Sequence, residues 1–145
     1  VELSCKSEYA LLSLMALADR YCEHEPLQIR QIAAQQNIPD RYLEQLLAIL
    51  RRAGLVRSLR GAKGGYLLAR EPWQITVLEI MTCIEGRDIT SASPAEVADT
   101  VERLVVQEAW QKACTSIRAV LETITLQDLC DRRDNHRPSA LMYYI

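Results

Sequence analysis

The chain lacks any apolar run that could cross a bilayer. Its longest stretch free of charge, residues 9–18, is about half of what a spanning helix needs. No basic-then-apolar leader opens it, so no secretory signal is expected, and the cytoplasm is the expected compartment. None of the 5 cysteines (Cys5, Cys22, Cys83, Cys114 and Cys130) falls in a CxxC pair. That excludes a zinc knuckle and a thioredoxin-like motif, and it points to free thiols in a reducing compartment. Histidine is scarce: His24 and His136 lie in expected loops with no ligand partner at useful spacing. There is no nucleophilic triad, paired-carboxylate site or GxxxxGK[ST] loop, so neither catalytic nor metal-binding residues are assigned and no enzyme is expected.

What the chain does have is globular composition: 145 residues, 49% hydrophobic and 25% charged. The net charge of −2 conceals an uneven distribution. Residues 41–70 carry seven basic side chains and one acid, Glu44, whereas residues 73–145 carry 7 basic and 11 acidic ones. A local basic patch on a mildly acidic protein fits a polyanion held at one surface, although a solvated charged face gives the same count.

Periodicity predicts helices over residues 4–21 and 27–36. A tight Asn37-Ile38 turn follows, then a third helix from Pro39-Asp40 to about Ala53, stopped by Gly54. The third helix has Leu43, Leu46, Leu47 and Leu50 inward at i, i+3, i+4, i+7, and Arg41, Tyr42, Glu44, Gln45, Arg51 and Arg52 outward. Two short helices about a tight turn, the second polar and basic outside, form the pattern of a helix-turn-helix; any small helical bundle could show it too. Strands at residues 55–59 and 66–69 flank Arg60-Gly61-Ala62-Lys63-Gly64-Gly65, a glycine-rich hairpin tipped with Arg and Lys, as in the wing of a winged helix.

Beyond Pro72 the spacing predicts a helix over 76–85, a polar loop over 86–93 and a long helix from Pro94 to Thr123. A short helix over 125–132 and a mobile charged tail containing Pro138 complete the chain. The long helix carries Val97, Val101, Leu104, Val105, Trp110, Ala113, Cys114, Ile117, Val120 and Leu121 as an apolar stripe. One small core can hardly cover that stripe, which points to a homodimer interface. The expected fold is mainly α: a winged helix-turn-helix with a two-stranded wing over 1–72, a connector over 73–93, dimerisation helices over 94–131 and a tail over 132–145.

These residues resemble a known family. Tyr42-Leu43-Glu44-Gln45-Leu46-Leu47, then Leu50-Arg51-Arg52-Ala53-Gly54-Leu55-Val56, then Arg60-Gly61-Ala62-Lys63-Gly64-Gly65-Tyr66 are similar to the Rrf2 regulators, the group containing IscR, NsrR and CymR. Leu3-Ser4, Tyr9-Ala10-Leu11, Ile75-Thr76-Val77 and Ile124-Thr125-Leu126 extend the resemblance over nearly the whole chain. It implies a DNA-binding transcriptional regulator, acting as a repressor, whose long helix crosses that of a second copy. Many members hold an iron–sulfur cluster on cysteines before and at the start of that helix. Here residues 86–104 contain no cysteine, and the positions matching the last cysteine and the histidine are Leu104 and Gln107. Glu8 stands where some members supply a carboxylate ligand. The cluster-free, CymR-like form is the better analogy, so no cofactor is expected.

Within that frame Glu44 and Gln45 are the expected base readers, since Gln can pair adenine and Glu can accept from cytosine N4. Arg41, Tyr42 and Lys63 are expected on phosphate, with Lys6, Gln28 and Arg30 as further backbone contacts. Arg60, with Gly61 and Gly64 beside it, is the expected minor-groove probe. Cys83 and Cys114 are expected to pack as small apolar residues, a thiol switch being the sharper alternative. Double-stranded DNA and a second copy are the expected partners. A regulatory protein or small-molecule effector stays open, as does an adaptor that uses the winged helix to bind protein.

Overall fold

Ser4 opens the fold by accepting the Ser7 amide at 3.1 Å, which satisfies one of the unpaired donors at the start of α1 (Cys5–Ala18). Ala10, Leu14 and Leu17 line one face of α1 and are buried. The computed structural model describes residues 2–91 and 96–142, with side chains through residue 137. Two further helices, α2 (Ile29–Gln36) and α3 (Asp40–Arg52), pack on α1. Asn37 joins them at φ 55°, the left-handed conformation expected at that turn, and its amide closes α2 on the Ala33 carbonyl. Ile38 is buried in the elbow and fixes the angle between the two helices. Leu43, Leu46, Leu47 and Leu50 bury the inner face of α3, each stabilising the fold by roughly 1.5–3 kcal/mol.

The wing is an antiparallel pair, β1 (Val56–Leu59) and β2 (Gly65–Leu68), with Val56 opposite Leu68 and Leu59 opposite Gly65. Leu27 adds a third, one-residue strand. Its amide donates to the Tyr66 carbonyl at 3.0 Å, and the Tyr66 amide donates to the Leu27 carbonyl at 2.8 Å. Leu27, expected inside a helix, is therefore recruited to the wing, and α2 starts two residues later.

Pro72 begins a single 3₁₀ turn (Pro72–Gln74), and Thr76 caps α4 (Val77–Glu85) by accepting the Glu79 amide at 3.1 Å. The long helix, α5, spans Val101–Thr123. It is shorter than the helix expected from Pro94. Pro94 lies outside the described residues, and the helix starts where Thr100 accepts the Arg103 amide at 3.1 Å. Val97 consequently precedes the helix. The last helix, α6 (Leu126–Met142), corrects the expectation of a short helix and mobile tail, because it runs well past Arg132. Arg133 explains this: its guanidinium forks onto both carboxylate oxygens of Asp19 at 3.0 and 2.7 Å, tying α6 to the end of α1. Thr76 and Thr125 form a second one-residue bridge, with Val77 donating to Ile124 at 2.9 Å and Leu126 donating to Ile75 at 2.8 Å. Ile75, Ile80, Ile84 and Leu126 thus join the same core as α1–α3.

Glu85 ends α4, where a negative charge is unfavourable to its own helix, yet it accepts from the Ser4 hydroxyl and from Ser7 Oγ at 2.9 Å at the start of α1. The two hydroxyl donors hold its carboxyl below the ordinary value of 4.5. A depressed folded-state pKa contributes stability above the unfolded value that is lost as pH falls through the folded one. The wild type should therefore melt above Glu85→Gln at pH 7, and the gap should close as pH drops below about 4.5 in thermal melts. A gap that stays constant down to pH 3 would contradict the Ser4–Glu85–Ser7 link.

Candidate nucleic-acid interface

The start of α3 and the wing border one cleft, lined by Asp40 from α3 and by Leu59, Gly61 and Gly64 from the wing. Arg41, Glu44 and Gln45 are exposed at the start of α3, while Leu43, Leu46 and Leu47 on the same turns are buried. The helical period thus presents the polar side chains as a ridge. Tyr42 is half-buried, its ring edge-on to Tyr9 at a centroid distance of 5.5 Å, so it is braced against α1 rather than free. Arg60, Gly61 and Lys63 are exposed on the wing, and Lys6 is exposed on the first turn of α1.

Glycine does two different jobs in the wing. Gly61, at φ 110°, has open space around it. Gly64 is buried, donates its amide to the Gly61 carbonyl at 3.0 Å, and would put a Cβ 2.3 Å from the Leu59 carbonyl oxygen. Its amide is used within the turn, so Gly64, expected beside the minor-groove probe, shapes the wing. Beside the wing, an open cleft of about 430 Å³ runs between α2 and α3, lined by Ile29, Arg30, Asp40, Leu59, Gly61 and Tyr66. Asp40 and the exposed Leu59 are members of this surface that sequence reasoning did not assign to it.

Gln28 and Arg30 stand at the start of α2. The Gln28 amide donates to Gln31 Oε1 at 2.8 Å, and Arg30 Nε donates to Gln28 Oε1 at 3.2 Å. Among the described residues no carboxylate lies within 4.0 Å of Arg30, Arg41, Arg60 or Lys63. These cations are thus available to an external anion, whereas Arg20, Arg70, Arg118 and Arg133 are each paired with an acid.

The stripe on α5 divides in two. Cys114 is 6% exposed and buried within its own chain, and Ile117 and Leu121 are half-buried on the same side. These three residues, expected at an interface, face mainly inward, so they have little surface left for a partner. Val101 (73%), Leu104 (45%), Val105, Val106, Trp110 (59%) and Val120 are exposed, as is Val97 ahead of the helix. Residues 101–113 leave the core almost entirely. Asp88 accepts from Arg118 and from the Thr90 amide at 2.9 Å, which fastens the loop after α4 to α5.

The thiols do not form a ligand set. Cys5 and Cys22 are exposed, Cys83 is half-buried, and Cys114 and Cys130 are buried at different places. Burial pushes the Cys83 thiol up and Cys130 to about 11, so both stay protonated near neutrality. No three His, Cys, Asp or Glu side chains gather to hold a metal ion among the described residues. Leu104 is exposed, and the Gln107 amide is spent on the Glu96 carbonyl at 3.1 Å. The donor set present does not fit an iron–sulfur cluster. Among the described residues no helix is long and apolar enough to cross a membrane.

Residues 3–132 match the Rrf2 family, described as an iron-dependent transcriptional regulator. The chain is 38% identical to the HTH-type transcriptional regulator CymR of Bacillus subtilis over 145 residues, which is 100% of both proteins. Its fold superposes on the structure of CymR, the global cysteine regulator of B. subtilis, with a TM-score of 0.78, 38% identity, and coverage of 91% of this chain and 98% of that one. Against T. potens IscR the TM-score is 0.75 at 37% identity, covering 92% of this chain and 88% of the other. The chain belongs to the Rrf2 family of winged-helix transcriptional regulators.

Proposed function

We propose that the protein binds double-stranded DNA as a homodimer, reads an imperfect palindrome, and represses transcription from the cytoplasm without an iron–sulfur cluster. The observation that carries the reading is the shared cleft. A ridge of exposed polar side chains on α3 accompanies a wing whose Arg60 and Lys63 have no acid within 4.0 Å among the described residues. Glu44 and Gln45 point into the major groove and contact base edges. Arg41, Tyr42, Lys63 and Lys6 hold phosphates, and Arg60 follows the narrow minor groove beside Gly61. The winged helix of residues 1–72 does the reading. The exposed apolar half of α5, with Val97, joins two copies. Val101, Leu104, Val105, Trp110 and Val120 form the seam, while Cys114, Ile117 and Leu121 support it from the protomer side.

Binding isotherms on specific and scrambled duplexes at several salt concentrations test the division of labour. Gln45→Ala should cost roughly 1–3 kcal/mol on the specific site and little on scrambled DNA. Lys63→Ala should weaken both duplexes alike and lower the salt slope by about one. Equal losses from both variants on both duplexes would overturn the assignment of reader and positioner. The cofactor part is tested separately. Protein purified without oxygen should carry no stoichiometric iron and sulfide, and charge-transfer bands that Cys83→Ala removes would refute it.

A further inference from the structure

Gln28 belongs to the DNA-binding face by position but not by availability. Its side chain is half-buried, and its amide oxygen already accepts Arg30 Nε at 3.2 Å. A guanidinium held through Nε keeps both terminal nitrogens free in a fixed plane, which is the geometry that suits two oxygens of one phosphate. Arg30 borders two adjoining clefts. One, of about 510 Å³, is lined by Arg20, Glu25, Gln28, Gln31, Lys63 and Gly64. Within it Glu25 pairs with Arg20 at 2.6 Å, so that cation is neutralised. Asp40 lines the cleft on the other side of Arg30, beyond ion-pair distance. Arg30 on α2 and Lys63 on the wing are left as the cations without an acid partner among the residues lining this cleft.

We propose that Gln28 is a positioning residue for DNA binding: it holds Arg30 at the rim of the cleft so that Arg30 and Lys63 grip one backbone phosphate from the two sides. This rests on the DNA-binding reading and deepens it. A free arginine side chain samples many rotamers and gives up that freedom on binding; one already tethered at Nε gives up less. Gln28 therefore acts on affinity without touching DNA.

The test uses full-length protein and separates this role from that of starting α2. Gln28→Ser leaves the Gln31 acceptor for the residue 28 amide in place and supplies a hydroxyl suited to a helix cap, but it cannot reach Arg30. Isotherms on specific and scrambled duplexes are measured for the wild type, Gln28→Ser, Arg30→Ala, Lys63→Ala and the Gln28→Ser/Arg30→Ala pair, with thermal melts alongside. Arg30→Ala is expected to weaken both duplexes about tenfold and to lower the salt slope by about one. Gln28→Ser should lose about threefold on both duplexes at an unchanged melting temperature, and nothing further once Arg30 is gone. Equal losses from Gln28→Ser with and without Arg30, or no loss at all, would overturn the proposal. So would a silent Arg30→Ala beside a weakened Lys63→Ala, and in that case the DNA-binding reading stands. A wild type that shows no salt-dependent binding to any duplex fails that reading itself, and this one with it.

Discussion

Replacing Leu104 and Trp110 together with glutamate should convert the protein from a dimer to a monomer at micromolar concentration. Both side chains are exposed in the protomer, at 45% and 59%, and they lie on the half of α5 that leaves the core. The protomer therefore loses little by the change, and its circular dichroism and melting should stay close to wild type. The dimer, by contrast, must bury two uncompensated carboxylates per copy. An unpaired buried charge costs roughly 3–5 kcal/mol, which is more than a hundredfold in the dimer dissociation constant. Loss of the dimer should also cut affinity for a palindromic duplex to that of one half-site, because the second winged helix is no longer delivered with the first. Sedimentation of the wild type as a stable monomer, or of the double variant as a dimer, would remove α5 as the interface.

Gly65→Ala should be strongly damaging to the wing. Gly65 sits at φ 149°, and a Cβ there would lie 2.4 Å from the Leu27 carbonyl oxygen and 2.6 Å from its carbon. Both are backbone atoms and cannot swing aside. The strand must move, and with it go the two Leu27–Tyr66 hydrogen bonds that seat the hairpin on the start of α2. Backbone strain of about 1–3 kcal/mol and two hydrogen bonds at about 0.5–1.5 kcal/mol each make a loss of roughly 2–6 kcal/mol. Gly61→Ala is the control: φ is also positive, at 110°, but nothing lies within 4 Å, so only the conformational penalty applies. Urea unfolding should show Gly65→Ala well below Gly61→Ala, and DNA affinity should fall in the same order. A Gly65→Ala midpoint equal to wild type would show that the wing is not seated by the Leu27 bridge.

Much of this was legible in the chain because it depends on short-range chemistry. The α3 leucines at helical spacing, the Asn37-Ile38 turn and the glycine-rich wing each announce themselves within a few residues. What escaped depends on distant partners. Leu27 looks helical until Tyr66, 39 positions later, offers it a strand. Nothing between Arg132 and Pro138 promises helix, but Arg133 finds Asp19 across 114 positions and holds α6 in place. The spacing alone marks an apolar stripe on α5, but only packing shows that Cys114, Ile117 and Leu121 turn toward the protomer while Leu104 and Trp110 turn away. At the interface the basic side chains were visible from charge alone. The Gln28–Arg30 bond and the internal use of the Gly64 amide required geometry.

The central claim is that two copies present two winged helices to one DNA site. Selection of bound duplexes from a random-sequence pool by the purified protein, followed by sequencing, tests it most directly. The account predicts enrichment of an inverted repeat whose half-sites lie about one helical turn, or a multiple of it, apart, with A/T pairs where the wings meet the minor groove. Enrichment of a single unrepeated motif, or of no motif at all, would contradict it.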